Sequence, residues 1–231
     1  MVTPRPAAMS ASSGPSGGML VSHMTTARPR DAATLILLRR DGPRPRILLG
    51  CRSGGHDFMP EKWVFPGGRI DRADYRAQPI TPLRAEVADA LAASSRHARQ
   101  NGPRLAQALA QAAVRETFEE AGLILGMIEN GRLRADLACL RFIARAITPP
   151  ARHRRYDTRF LLADAEALQG LEPADSRELR HVGWFTLDEA RRLDLPTVTR
   201  AVLELIERHA LGQPVPAPFW RWTRSDPASA I

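Results

Sequence analysis

The stretch Arg115-Glu116-Thr117-Phe118-Glu119-Glu120-Ala121-Gly122-Leu123 decides how the rest of the chain is read. Helix positions i, i+3 and i+4 share one face, so Glu116, Glu119 and Glu120 project together, separated by about 60° and 40° of azimuth. Carboxylates that close repel one another until something neutralises them. A hard divalent cation does so with oxygen ligands, and Mg²⁺ completes its shell with waters and substrate phosphates. An acidic helix face is also an ordinary solvated surface, so the surrounding sequence has to arbitrate.

Upstream stands Val64-Phe65-Pro66-Gly67-Gly68-Arg69-Ile70-Asp71, an apolar run ending in Pro-Gly-Gly. Paired glycines let the backbone turn tightly and approach a ligand closely, although most such tripeptides are plain turns. Together with Arg-Glu-x-x-Glu-Glu-x-Gly, this break resembles the Nudix box of the Nudix hydrolases. That signature reads Gly, five residues, Glu, seven residues, then Arg-Glu-apolar-x-Glu-Glu-x-Gly-apolar. Thr117 fills the apolar slot. The first half departs: counting back from Arg115 places Gln107 at the upstream Glu and Asn101 at the Gly. The upstream Glu is thus absent or supplied from elsewhere, and a long insertion, about 72–102, separates Gly68 from Arg115.

A third stretch, Leu48-Leu49-Gly50-Cys51-Arg52-Ser53, precedes the glycine pair. Coenzyme A diphosphatases of the same superfamily carry Leu-Leu-Thr-x-Arg-Ser at about this distance. Arg52 and Ser53 are in register, whereas Gly50 replaces Thr, Asp57 stands where Arg is expected and Glu61 where Gly is expected. The segment from Phe58 to Gly68, followed by Asp71, Asp74 and an insertion, is similar to the acyl-coenzyme A diphosphatase subgroup.

The resemblance implies an α/β/α sandwich with a mixed sheet and a helical insertion. It implies Mg²⁺ or Mn²⁺ held by Glu116, Glu119, Glu120 and the Gly67 carbonyl, with Glu178 as a further candidate ligand. Glu116 is the first candidate to deprotonate a water, Glu119 acts with it, and Arg115 fixes a neighbouring Glu. Arg52, Ser53 and Gly68 would meet substrate. The implied reaction is hydrolysis of a diphosphate linkage in a nucleoside diphosphate derivative, coenzyme A or acyl-coenzyme A among the candidates. ADP-ribose, NADH and dinucleoside polyphosphates are the alternatives, as is a non-catalytic binding module of the same fold.

Composition sets bounds. The 231 residues suit one well-filled α/β domain. Two cysteines, Cys51 and Cys139, exclude a disulfide framework and fit a reducing, cytoplasmic setting. No apolar run is long enough to span a bilayer. The net charge of +8 favours anionic partners, yet no zinc-finger spacing, RNP-like motif or long basic run points to nucleic acid. A phosphorylated small molecule satisfies the same charge, and a homodimer is left open. Residues 1–30, rich in Ser, Gly, Pro and Ala, read as a disordered tail. Met24 is an alternative start, and an organelle transit peptide stays open. The domain is placed at 31–212, with a C-terminal tail at 213–231 whose Phe219-Trp220-Arg221-Trp222 is either a partner patch or a flap.

Periodicity places strands at 32–38 and 47–50 joined by Asp41-Gly42, then at 61–66, 137–147, 157–163 and 182–185. Helices are expected at 81–100, broken by Asn101-Gly102-Pro103, at 105–121 closed by Gly122, after a capping box at Thr186–Glu189, and at 199–209. Arg141, Arg145, Arg152, His153, Arg154, Arg155 and Arg159 read as an electropositive rim or, more simply, a solvated loop.

Overall fold

The computed structural model describes residues 27–55, 59–94, 98–150, 152, 154–213 and 215–221, so Asp57, His153, Trp222 and most of the N-terminal tail lie outside the described residues. Its strands are β1 (Arg30–Arg39), β2 (Arg46–Arg52), β3 (Trp63–Val64), β4 (Gly67–Arg69), β5 (Gly126–Glu129), β6 (Arg132–Ala135), β7 (Arg141–Ile147), β8 (Tyr156–Asp164), β9 (Leu179–Thr186) and β10 (Phe219–Arg221). Its helices are α1 (Ala85–Ala93), α2 (Ala98–Ala121), α3 (Leu187–Arg191) and α4 (Thr197–Ala210).

β1 runs through the middle of the main sheet. Along one edge it pairs in parallel with β8, from Arg30 opposite Tyr156 to Leu38 opposite Asp164. Its other edge is divided: Leu38 and Arg39 pair with β2, whereas Ala32, Ala33 and Thr34 pair with β4. Where the two partners part, Leu35 N–H donates to Pro66 O at 3.1 Å. β2 swings away to pair with β9 and β3. The glycine pair therefore enters the sheet through the opening that β2 leaves.

Alternation along the central strands builds two cores. Ala33, Leu35, Leu37, Leu48 and Leu161 face α1 and α2. Ile36, Leu38, Ile47, Leu49 and Leu162 face α3 and α4. The result is the expected α/β/α sandwich on a mixed sheet, with β1 buried on both faces as its unbroken apolar run demands.

Several elements differ from expectation. The helix expected at 81–100 begins only at Ala85, because Thr81, restricted by Pro82, stays extended and bridges to Asp136. Asn101-Gly102-Pro103 does not break a helix; α2 starts at Ala98 and carries Pro103 inside it. A Cβ on Gly102 would lie 3.0 Å from Ala92 Cβ, so this glycine serves close packing of α2 on α1. The strand expected at 137–147 starts at Arg141, because Asp136 accepts the Ala138 N–H at 3.1 Å and turns the chain. The β5–β6 hairpin was not foreseen. The Thr186–Glu189 capping box forms as read.

The basic cluster is neither a rim nor a solvated loop at its centre. Arg145 donates to both oxygens of buried Asp157 at 2.7 Å. Arg159, fully buried, reaches Asp31 at 2.5 Å, the Asp157 carbonyl at 2.8 Å and Ser94 at the end of α1. Arg141 shares Asp164 with Arg40. These arginines are consumed by internal ion pairs. Beyond the boundary drawn at residue 212, β10 extends the sheet in parallel with β7. Trp220 packs on the second core, and Phe219 lies under the Arg145 guanidinium at 4.3 Å. No helix among the described residues is long and apolar enough to cross a membrane.

Candidate active site

α2 lays its C-terminal turns beside β4. Ala110, Ala113, Val114 and Ala121 bury the apolar side against the sheet, while Phe118 is only partly buried. Thr117 sits in the core because its hydroxyl donates to Ala113 O at 2.8 Å, leaving only a methyl to pack. Gly122, at φ 72°, closes the helix with its N–H on Phe118 O.

The opposite side meets the glycine pair. Glu120 is buried and accepts the Gly67 N–H at 2.8 Å. Glu116 covers Gly68 so tightly that a Cβ there would lie 2.5 Å from the Glu116 carboxyl carbon. A Cβ on Gly67 would strike Ala33 O at 2.6 Å. Both positions thus require glycine for close approach, one to a carboxylate and one to β1. Burial pushes the Glu116 carboxyl up to about 7, with the Arg115 guanidinium pulling the other way. Burial likewise pushes Glu120 up to about 8, against the Gly67 hydrogen bond, with the Glu116 charge adding to the rise.

Glu119 stands apart from this pair, with its side chain 54% exposed. The trio does not converge on one point, because the Arg115 guanidinium lies between, 2.9 Å from both Glu116 and Glu119. Arg115 therefore supplies part of the neutralisation that the sequence assigned to a cation. Its other edge grips Asp74, through two bonds of 2.9 and 3.0 Å, and the Arg69 carbonyl. Burial alone would lower the Arg115 basicity, but Asp74 and the glutamates more than reverse it.

Asp74, named in the sequence only as a residue before the insertion, takes a structural role there. It is buried, and it also accepts the Asp71 N–H at 2.8 Å. Passing over five residues after Gly68, instead of counting back from Arg115, lands on it. Residues 75–114 then stand where the signature has seven.

Arg52, at the end of β2, shares this environment. Burial lowers its pKa, and the charges of Glu120, Glu178 and Glu116 restore part of it. The Ser53 N–H donates to the Glu178 carbonyl at 2.9 Å. Gly50, which replaces Thr in the motif, has a local reason: a Cβ would lie 3.1 Å from Leu179 and Val182 on β9.

The donor chemistry fits a hard cation. Buried Glu120 and partly buried Glu116 face a glycine loop that brings no side chain of its own between them, and Glu178 acts on both through its charge. Among the described residues no three acidic, His or Cys side chains form a complete cation cage. A cation here would share its shell with other oxygens, as Mg²⁺ does.

Residues 101–206 match the NUDIX domain family. The match begins after the glycine pair and spans the acidic turn of α2. A NUDIX hydrolase structure from Alicyclobacillus acidocaldarius is similar at 28% identity, with a TM-score of 0.58, covering 78% of this chain and 92% of that one. The NUDIX domain of Shewanella oneidensis NrtR, solved with ADP ribose, shares the fold at 12% identity and a TM-score of 0.51, covering 80% and 90%. No curated protein matches the chain. The domain match over residues 101–206 and the fold shared with a NUDIX hydrolase over most of the chain support a hydrolase.

Proposed function

We propose that the chain hydrolyses the diphosphate linkage of a nucleoside diphosphate derivative, assisted by Mg²⁺ or Mn²⁺. The observation that carries this reading is the pair of carboxylates, buried Glu120 and partly buried Glu116, closed onto Gly67-Gly68. Burial without full internal neutralisation costs stability unless a cation is meant to be there. Glu116, Glu120 and the Gly67 carbonyl would hold the ion, with Glu119 and Glu178 within the same acidic field. When bound, a divalent cation supplies charge neutralisation at the phosphate oxygens and a lower pKa for an attacking water.

The chain's own groups do the rest. Glu116 is the candidate to accept a proton from water, since a carboxylate beside a cation can do so. Arg115 positions Glu116 and Glu119, and Asp74 positions Arg115. In this reading Asp74 plays the part of the upstream acid, and residues 75–114 form the insertion in the box. Arg52, on which the charges of Glu120 and Glu116 act, would meet a phosphate oxygen of the substrate. Its register with Ser53 favours coenzyme A or acyl-coenzyme A within the class.

A panel of coenzyme A, acyl-coenzyme A, ADP-ribose, NADH and dinucleoside polyphosphates, with each metal in turn, tests the proposal. Glu116→Gln and Glu119→Gln should each lower kcat at least about a hundredfold if they serve the chemical step. Arg52→Ala should raise KM most for the preferred substrate. Purified folded protein that cleaves none of these compounds with either metal would overturn the reading. A coenzyme A preference untouched by Arg52→Ala would overturn the role given to Arg52.

A further inference from the structure

The turn that follows the glycine loop carries a charged face that the candidate site does not use. Asp74 N–H bonds to Asp71 O at 3.2 Å, Arg76 N–H to Ala73 O at 2.9 Å and Ala77 N–H to Ala73 O at 3.0 Å, so the chain coils once helically. Asp74 points inward to Arg115. Arg72, Tyr75 and Arg76, at i, i+3 and i+4, share the outer face. All three are exposed, Tyr75 by 40% despite its large ring.

α2 runs alongside and adds a fourth group. Arg115 holds Asp74, and Gln107 donates to the Ala77 carbonyl at 3.1 Å, so the helix lies along the turn from one end to the other. Arg104, one helical turn before Gln107, is exposed and close enough to act on the Tyr75 hydroxyl through its charge.

The nearby carboxylates are already engaged: Asp71 faces Arg69 at 3.4 Å, Asp74 is bound to Arg115, and Asp31, whose charge also acts on Tyr75, is bound to Arg159. Among the described residues none pairs with Arg72, Arg76 or Arg104. Like charges at i and i+4 repel. Guanidinium groups match phosphate oxygens in bidentate geometry, and an exposed phenol ring offers a stacking face to a base.

We propose that Arg72, Tyr75, Arg76 and Arg104 form a subsite for a phosphomonoester-bearing nucleoside, the portion of the substrate beyond the diphosphate that is cut. The proposal rests on the diphosphatase reading of the neighbouring site, to which the turn is tied by the Asp74–Arg115 pair. The nucleobase stacks on Tyr75, and the phosphomonoester lies among the three arginines. A diphosphate substrate whose nucleoside carries an additional phosphate is thereby preferred over one that lacks it.

Calorimetric titration tests this without turnover. The probes are a nucleoside, its 5′-monophosphate, its 3′,5′-bisphosphate, inorganic phosphate and a single-stranded oligoribonucleotide. The bisphosphate should bind the wild type about tenfold or more tighter than the monophosphate, a gap of one decade in Kd. Arg72→Gln/Arg76→Gln/Arg104→Gln should erase that gap. Tyr75→Ala should weaken every nucleoside probe, and Tyr75→Phe should restore them. Equal affinities in wild type and triple variant would overturn the subsite, as would inorganic phosphate binding as tightly as the bisphosphate. Tightening with oligoribonucleotide length would overturn it in favour of a nucleic-acid surface. Absence of hydrolysis across the substrate panel would sink the diphosphatase reading while leaving the binding contrast intact, so the two failures are distinguishable.

Discussion

In metal-free protein, Glu120→Gln should increase stability above pH 8 and leave it unchanged or lower at pH 5. A carboxyl whose folded pKa is raised takes up a proton on folding. Its favourable contribution is complete below the ordinary value of 4.5 and is lost as pH climbs through about 8. Glu116, pushed up to about 7, adds to the loss with the same sign. The Glu120 shift corresponds to roughly 4–5 kcal/mol if taken whole. Part of it is the Glu116–Glu120 repulsion, which the pair shares, so a single substitution recovers about 2–3 kcal/mol. Gln keeps an oxygen for the Gly67 N–H, so that hydrogen bond survives. For a chain of this size the gain corresponds to roughly 5–10 °C in Tm. Thermal melts in EDTA at pH 5, 7 and 9 read the effect directly. Mg²⁺ or Mn²⁺ should then raise the wild-type Tm at pH 9 more than that of the variant. A variant destabilised equally at pH 5 and pH 9 would refute the claim that uncompensated charge is stored there.

Asp74→Asn should cost about 2–4 kcal/mol, because it strips a buried acceptor from Arg115, and denaturant unfolding measures it; kcat should fall with little change in KM. Glu119→Gln should change stability by less than about 1 kcal/mol, its side chain being exposed, even as turnover falls. Gly68→Ala should abolish metal-dependent activity and cost about 1–3 kcal/mol, since its methyl meets the Glu116 carboxyl. Arg159→Met should destabilise by about 3 kcal/mol or more by leaving Asp31 and Asp157 short of a partner; chemical denaturation would show whether Phe219–Arg221 detaches in the same transition.

Some of this architecture can be read from sequence because it is local. The apolar alternation of β1 and β2, the Thr186–Glu189 cap and the Gly122 stop each act over a few residues. Asn130-Gly131, with φ of 51° and 71°, is an equally local hairpin signal between Ile128 and Leu133. Other features exist only once the sheet is assembled. Arg145 and Arg159 look like surface charge until the β7–β8 and β1–β8 registers bring Asp157 and Asp31 beside them. Glu119 separates from Glu116 and Glu120 because Arg115 is pulled by Asp74 from the far end of a long excursion. Helical spacing alone has no term for such a distant hold.

That hold has a consequence for how such a chain can change. Asp74 and Arg115 clasp the two feet of everything between them, residues 75–114. Lengthening a closed loop adds only a slowly growing entropic cost once its ends are fastened. The clasp thus insulates the chemistry at its base, so that the parts of the arm outside the core-packing faces of α1 and α2 can be rebuilt, shortened or exchanged while the carboxylates keep their places.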